Sequence, residues 1–212
     1  MDERTAIEVL KNSDMTLSEI ADLIGTKEEP ILEPNVSRWV GDMDYVCDVD
    51  QRMKFEVTID GVIHRPHPNG GGLVAETATV ETTAFVGMNA RVYGNARISD
   101  NAWVSGNARV YENAVVYGNA KVYGNALVFG NANVFNRAKV YENSRVFNDA
   151  RAFNDSEIYG NTLVFGNALV YGNAWVYENA RVYDTAEVYG NARVYGNTFV
   201  FGKTKTCRDV CS

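Results

Sequence analysis

From Val74 to about Lys205 the apolar positions recur every six residues without a skip. Val74, Val80, Val86 and Val92 open the series and Val194 and Val200 close it, with Ile98, Ile158 and Ala152 as substitutes along the way. Four places after each comes a small residue, Ala78, Ala84, Ala90 and Ala96 onward, with Ser144, Ser156, Thr162, Thr198 and Thr204 as variants. The consensus is Val-Tyr-Gly-Asn-Ala-Arg. The small residue and the valine that follows it stand two apart, so they share one face of an extended segment, and the Arg and Tyr positions face the other way. Gly-Asn supplies the corner, because both residues reach positive φ at low cost. A period of six sustained this long requires one repeating structural unit and points to a parallel β-helix.

Three such sides make a coil of about 18 residues around a narrow prism, which Val and Ala fill and Tyr does not. The aliphatic ladder is therefore expected inside and the aromatic ladder outside. The 22 hexads predict about seven triangular coils, roughly 34 Å of stacked strands at ~4.8 Å spacing. The first coils depart from the consensus, with Glu76, Thr82, Thr83 and Met88 at corner positions, as terminal repeats do. A second departure runs from Val134 to Ile158, where the corners become Asn136-Arg137, Glu142-Asn143, Asn148-Asp149 and Asn154-Asp155 and the inner ladder accepts Ala152. A looser, more polar belt is expected there, against the alternative of ordinary repeat drift. The tail Thr206–Ser212 leaves the pattern and is read as a cap on the last coil.

These hexads, aliphatic first and small fifth, closely resemble the left-handed β-helix of hexapeptide-repeat proteins. They are most similar to the YGNA-type repeat proteins of bacteria and phages, and Gly71-Gly72-Leu73-Val74-Ala75-Glu76 is similar to that family's lead-in. The left hand is an implication of this resemblance. General chirality rules would favour right-handed crossovers. Acyltransferases and zinc carbonic anhydrases are built on the same fold and use histidines as base or metal ligand. Here the only histidines, His64 and His67, precede the hexads, and no inserted loop interrupts the repeats. The His-x-x-His pair is weighed as part of a metal site and as plain hinge residues, with the second preferred. The fold resemblance alone does not carry catalysis.

Before the hexads the pattern changes. Residues 4–12 carry helical spacing, Thr16-Leu-Ser-Glu19 is a capping box ahead of Ile20, Leu23 and Ile24, and Asn35–Val40 is predicted as a third helix. The pair TLSEIADLIG and NVSRWV weakly resembles a helix-turn-helix, although the Thr26–Pro34 connection exceeds the usual turn. Met53–Ile59 and Val62–Arg65 flank Asp60-Gly61, a strong hairpin signal. The predicted organisation is a helical, helix-turn-helix or winged-helix-like module over 1–50, a hairpin and hinge over 51–73, the β-helix over 74–205 and a tail over 206–212.

Charge divides the chain in the same place. Residues 1–73 hold 15 Asp and Glu against 7 Lys and Arg, a net charge of −8, while residues 74–205 hold 11 against 12, net +1. Affinity for DNA comes largely from cations on phosphates, so the acidic module argues for a protein partner, with a basic nucleic-acid-binding protein as the natural candidate. Arg38, Trp39, Asp42, Asp44, Asp48 and Asp50 are its candidate partner-binding residues. On the outer face of the hexads, Leu127, Phe129, Phe147, Leu163, Phe165, Phe199 and Phe201 form the candidate oligomer interface, since aromatics with Arg are typical interface anchors. The expected function is a non-enzymatic scaffold that self-associates and binds a protein, in its most specific form a phage-encoded inhibitor of a host nucleic-acid-binding or defence protein. A helix-turn-helix DNA-binding regulator oligomerised by the β-helix is the alternative, and an acyltransferase-like enzyme comes third. No cofactor is expected. The start Met1-Asp2-Glu3-Arg4 carries no apolar run, no segment is long and apolar enough to span a bilayer, and Cys47, Cys207 and Cys211 read as reduced thiols, so the cytoplasm is the expected compartment.

Overall fold

The computed structural model describes residues 38–40, 43–47 and 53–211, with side chains from Glu56 onward. The chain divides into two compact units, Met1–Arg65 and Pro66–Ser212. In the first unit β1 (Arg38–Val40), β2 (Met43–Cys47) and β3 (Met53–Phe55) form an antiparallel sheet in the order β1-β2-β3. This corrects the helix expected over Asn35–Val40: its last three residues are extended and pair with β2, Arg38 opposite Tyr45 and Trp39 opposite Asp44. Trp39-Val40 carries an aromatic and a β-branched side chain, which suit a strand at least as well as a helix. The other predicted helices lie outside the described residues. The hairpin is present as β4 (Val57–Ile59) and β5 (Val62–Pro66), with Ile59 opposite Val62. Asp60 (φ 52°) and Gly61 (φ 77°) both take positive φ, as a two-residue turn that follows strand twist requires.

The second unit is a parallel β-solenoid. Each side is a short strand whose neighbour lies three hexads further along the chain, as in Val92–Val110–Val128 and Val116–Val134–Ala152. Three faces result. The first runs from Leu73–Ala75 to Phe199–Val200, the second from Thr79–Val80 to Lys205–Thr206, the third from Phe85–Val86 to Val210–Cys211. Each N–H of the outward residues reaches the carbonyl one coil on, as Tyr93 to Val110 at 3.0 Å and Trp103 to Ala120 at 2.9 Å. The coils number eight rather than the expected seven. The hexad count stops at Val200, but the chain beyond it contributes two more strands: Lys205 pairs with Glu187, and Val210 pairs with Val194. That last pairing falls short of three full hexads, so the closing side is abbreviated. A strict count of six misses it.

Inside, the ladder is as the pattern demands. From Ala84 to Val194 every valine, isoleucine and alanine of the inner positions is buried, Ala152 included, so the belt from Val134 to Ile158 is polar outside and closed within. The hydroxyl variants keep their hydrogen bonds local. Ser144 Oγ donates to the Tyr141 carbonyl at 2.7 Å, Thr198 to Tyr195 at 2.6 Å, and Thr162 to Tyr159. Ser156 Oγ alone among these is buried without a partner.

Candidate functional site: the outer faces

The tyrosine position of each hexad leaves the strand just before the corner, and the three-sided coil brings it over its counterpart. Three aromatic columns result. On the first face Tyr93, Tyr111, Phe129, Phe147, Phe165, Tyr183 and Phe201 stack with centroids 4.8–5.4 Å apart and planes within 11°. Tyr117 to Tyr189 form the second column and Tyr123 to Tyr195 the third. Each ring covers its neighbours' faces and leaves mainly an edge to solvent. Burial accordingly raises the phenol pKa of Tyr93, Tyr111, Tyr123 and Tyr159. Tyr141 rises furthest, because burial is joined by the Glu157 carboxylate, to which its hydroxyl donates at 3.1 Å.

The corners carry a second regularity that counting in sixes does not reveal. Glu112, Glu142, Glu178, Asp100 and Asp184 occupy the glycine position with φ between 57° and 62°. Each has glycine one coil on, and its carboxylate accepts that glycine's N–H: Glu112 from Gly130 at 2.8 Å, Glu142 from Gly160 at 2.9 Å, Asp184 from Gly202 at 3.1 Å. Left-handed backbone costs an L-residue about 1–2 kcal/mol, and a charge-assisted bond to an otherwise free N–H offsets it. Asparagine amides bridge successive coils in the same way, Asn107 to Asn125 and Asn125 to Asn143, each at 3.0 Å. These side chains staple the coil.

Charge is handled differently on the three faces. On the second and third faces and the corner between them, ions pair along the coil axis. Arg137 grips Asp155 through two bonds of 2.6 and 2.7 Å, Lys139 meets Glu157 at 2.8 Å and Lys205 meets Glu187 at 2.6 Å. Those partners hold the Asp155 and Glu187 carboxyls below their ordinary pKa. A shallow open groove of ≈ 470 Å³ lies at this corner, between Gly118 and Gly172, with Asn136, Asn154 and the neutralised Arg137–Asp155 pair along it. The first face has no such pair, although Arg97 and Arg151 on the second face and Lys121 and Arg193 on the third are likewise in no ion pair among the described residues. Among the described residues none of Arg91, Arg109, Arg145 and Arg181 is in an ion pair, and Arg181 lies over the Phe199 ring, 5.3 Å from its centroid.

The predicted interface residues all fall on this first face. Leu127, Phe129, Phe147, Leu163 and Phe165 are half-buried against their neighbours above and below, while Phe199 (52 %) and Phe201 (53 %) are exposed where the stack ends. Of the predicted partner-binding residues, Arg38, Trp39 and Asp44 sit on β1 and β2, whereas Asp42, Asp48 and Asp50 lie outside the described residues. His64 and His67 are buried. His64 Nδ1 lies 3.0 Å from the Val62 carbonyl, and His67 has Nδ1 3.2 Å from the Asn69 carbonyl and an unpartnered Nε2. No cluster of three or more His, Cys, Asp or Glu among the described residues has the geometry to hold a metal ion. Cys207 and Cys211 are free thiols on the exposed closing coil. Among the described residues no helix is long and apolar enough to cross a membrane.

No curated protein and no solved structure matches the chain. A family model does: the YdcK beta-solenoid repeat matches residues 90–106, 102–118, 164–178 and 186–202, each stretch close to one coil in length, so that in these coils the chain is similar to the YdcK beta-solenoid repeat.

Proposed function

We propose that the chain is a non-catalytic scaffold whose solenoid associates through its first face and whose acidic N-terminal part binds a protein. The observation that carries this reading is the composition of that face: leucines, stacked aromatics and arginines that are in no ion pair among the described residues, ending in exposed Phe199 and Phe201. Large apolar patches interleaved with Arg are what interfaces use. The similarity to a beta-solenoid repeat supports a structural role and is silent on partners. The coil is taken as left-handed, in keeping with the hexapeptide-repeat proteins that the sequence resembles. For the N-terminal part the reading names a basic surface, such as that of a nucleic-acid-binding protein, met by Asp42, Asp44, Asp48 and Asp50 with Arg38 and Trp39. A phage-encoded inhibitor of a host protein is the most specific form of this idea.

The test is mass in solution. Wild-type protein is expected to exceed the monomer mass in light scattering. Leu127, Phe129, Leu163 and Phe165 changed together to Ser are expected to lower that mass while the circular dichroism spectrum stays β-type. A wild-type chain that is monomeric at high concentration removes the self-associating scaffold.

A further inference from the structure

The first face contains a regularity in its middle coils. The side that starts at Arg109 ends at Glu112, the one that starts at Arg145 ends at Asp149, and the one that starts at Arg181 ends at Asp184. Between them, Leu127 is followed by Gly130-Asn131 and Leu163 by Gly166-Asn167, both uncharged. Thus from Arg109 to Arg181 the coils alternate, charged and apolar, while the side that starts at Phe199 ends at Gly202-Lys203 and lies outside the alternation. Every charged coil has its cation at the leading edge of the face, its anion at the trailing corner and an aromatic ring between. The two coils below, starting at Leu73 and Arg91, lie outside this alternation.

These charges do not satisfy one another. Arg and acid stand three or four residues apart on extended chain, about 10 Å or more, and no ion pair joins them. Elsewhere some cations do pair along the axis, Lys139 with Glu157 and Lys205 with Glu187 on the other faces and Arg137 with Asp155 at a corner, whereas Arg97, Arg151, Lys121 and Arg193 are in no ion pair among the described residues. Resting on the self-association proposed above, we infer that the first face is the isologous interface of a homodimer whose two solenoids run parallel and in register. A two-fold axis parallel to the solenoid axis lays leading edge against trailing edge at the same level. Arg145 then meets Asp149 of the second copy, Arg109 meets Glu112, Arg181 meets Asp184, and each contact occurs twice by symmetry. In the apolar coils the same axis sets Phe129 against Phe129 of the second copy and Phe165 against Phe165. An antiparallel arrangement sets leading edge against leading edge. Arg145 then opposes Arg145 of the second copy, or faces a leucine after a one-coil shift, and no ion pair forms in either case. Eight coils at about 4.8 Å and a side of about 18 Å offer roughly 700 Å² per copy, close to the about 800 Å² per partner of a stable interface.

Charge exchange in the full-length chain tests this arrangement. Arg145 and Asp149 are suited to it: both are exposed, Asp149 accepts only the Asn131 amide at 3.0 Å among the described residues, and neither adopts positive φ. R145E alone and D149K alone are each expected to weaken the dimer by tenfold or more in sedimentation equilibrium. The double variant R145E/D149K is expected to return within threefold of wild type, and an equimolar mixture of the two single variants is expected to form heterodimers tighter than either homodimer. If a reversed variant does not fold, the milder R145Q is expected to weaken the dimer, and wild-type association is expected to weaken from 0.05 to 1 M NaCl. A double variant no tighter than the singles, a mixture without heterodimer preference, or association strengthened by salt overturns the parallel in-register pairing. If the wild type still self-associates and the four-serine variant dissociates, the scaffold reading survives that failure. A monomeric wild type ends both.

Discussion

At the residue level, Val122 and Lys121 are chain neighbours in one hexad, yet the first is fully buried in the inner ladder and the second exposed. Val122→Asp places a carboxylate among alanines and valines with no partner and is expected to cost several kcal/mol. Lys121→Asp is expected to stay within about ±0.5 kcal/mol. Equal shifts in thermal midpoint for the two would refute the inside–outside assignment. The corners allow a finer comparison. A Cβ on Gly130 (φ 71°) would lie 2.7 Å from the Asn148 nitrogen, whereas one on Gly190 (φ 67°) meets nothing closer than Cys207 Cβ at 3.6 Å. Gly190→Ala is expected to cost the backbone strain alone, about 1–2 kcal/mol. Gly130→Ala adds a collision with backbone one coil on and is expected to cost more in a denaturant titration. The hexad pattern tells that a glycine turns the corner. It does not tell which glycines are also pressed against the coil above, because that contact is set a whole coil further along the chain.

At the level of the element, the aromatic columns are the part that responds to pH. Burial raises the phenol pKa of Tyr93, Tyr111, Tyr123, Tyr141, Tyr159 and Tyr171 above the ordinary value of 10.0. A raised pKa on an acid means that the folded state holds its proton more tightly than the unfolded chain. The corresponding stability is fully present below about pH 10, the unfolded value, and is lost as pH climbs through the folded values. The thermal midpoint is therefore expected to fall above pH 10. In the folded protein, phenolate absorbance at 295 nm is expected to appear later than in denaturant. Tyr141→Phe is expected to remove part of that lag. Coincident titrations of folded and unfolded protein would contradict it. The column itself is legible in the sequence, since Tyr and Phe recur at a fixed place in the hexad. The Tyr141–Glu157 hydrogen bond is not, because it needs the height of one strand spacing and a particular pair of rotamers.

Across the whole molecule charge is unevenly spread, net −8 over residues 1–73 against +1 over 74–205. A DNA-binding module draws on cations, and binding weakens with salt by a slope of about −0.9 per phosphate contact. The scaffold reading predicts no sequence-selective shift of random or genomic duplexes from low to moderate salt, and no change on Arg38→Ala. Sequence-selective binding abolished by Arg38→Ala would reverse the order of the two functions and make the chain a DNA-binding regulator. Arg38 and Trp39 on the extended β1 already depart from the recognition helix that Asn35–Val40 suggested.

Strict recurrence is enough to specify the solenoid and the sorting of Val and Ala inward and Tyr outward, because a narrow prism has room for one class of side chain only; that three sides close each coil is seen in the 18-residue pairing of the strands. Asp60-Gly61 likewise marks the hairpin, since few dipeptides accept two consecutive positive φ values. The eighth coil emerges only in three dimensions: Val210 reaches Val194 across less than three full hexads, and a shortened closing side follows from where the strand edge lies rather than from any repeat. So does the state of the charges. Spacing puts Arg137 and Asp155 in one column, Arg109 and Leu127 in another, but only the folded coil shows that the first pair closes into a bidentate bridge. The arginines of the first face are in no ion pair among the described residues. A period of six sets the backbone; which neighbour a long side chain meets depends on the next coil, three hexads away in the linear pattern and one strand spacing away in the fold.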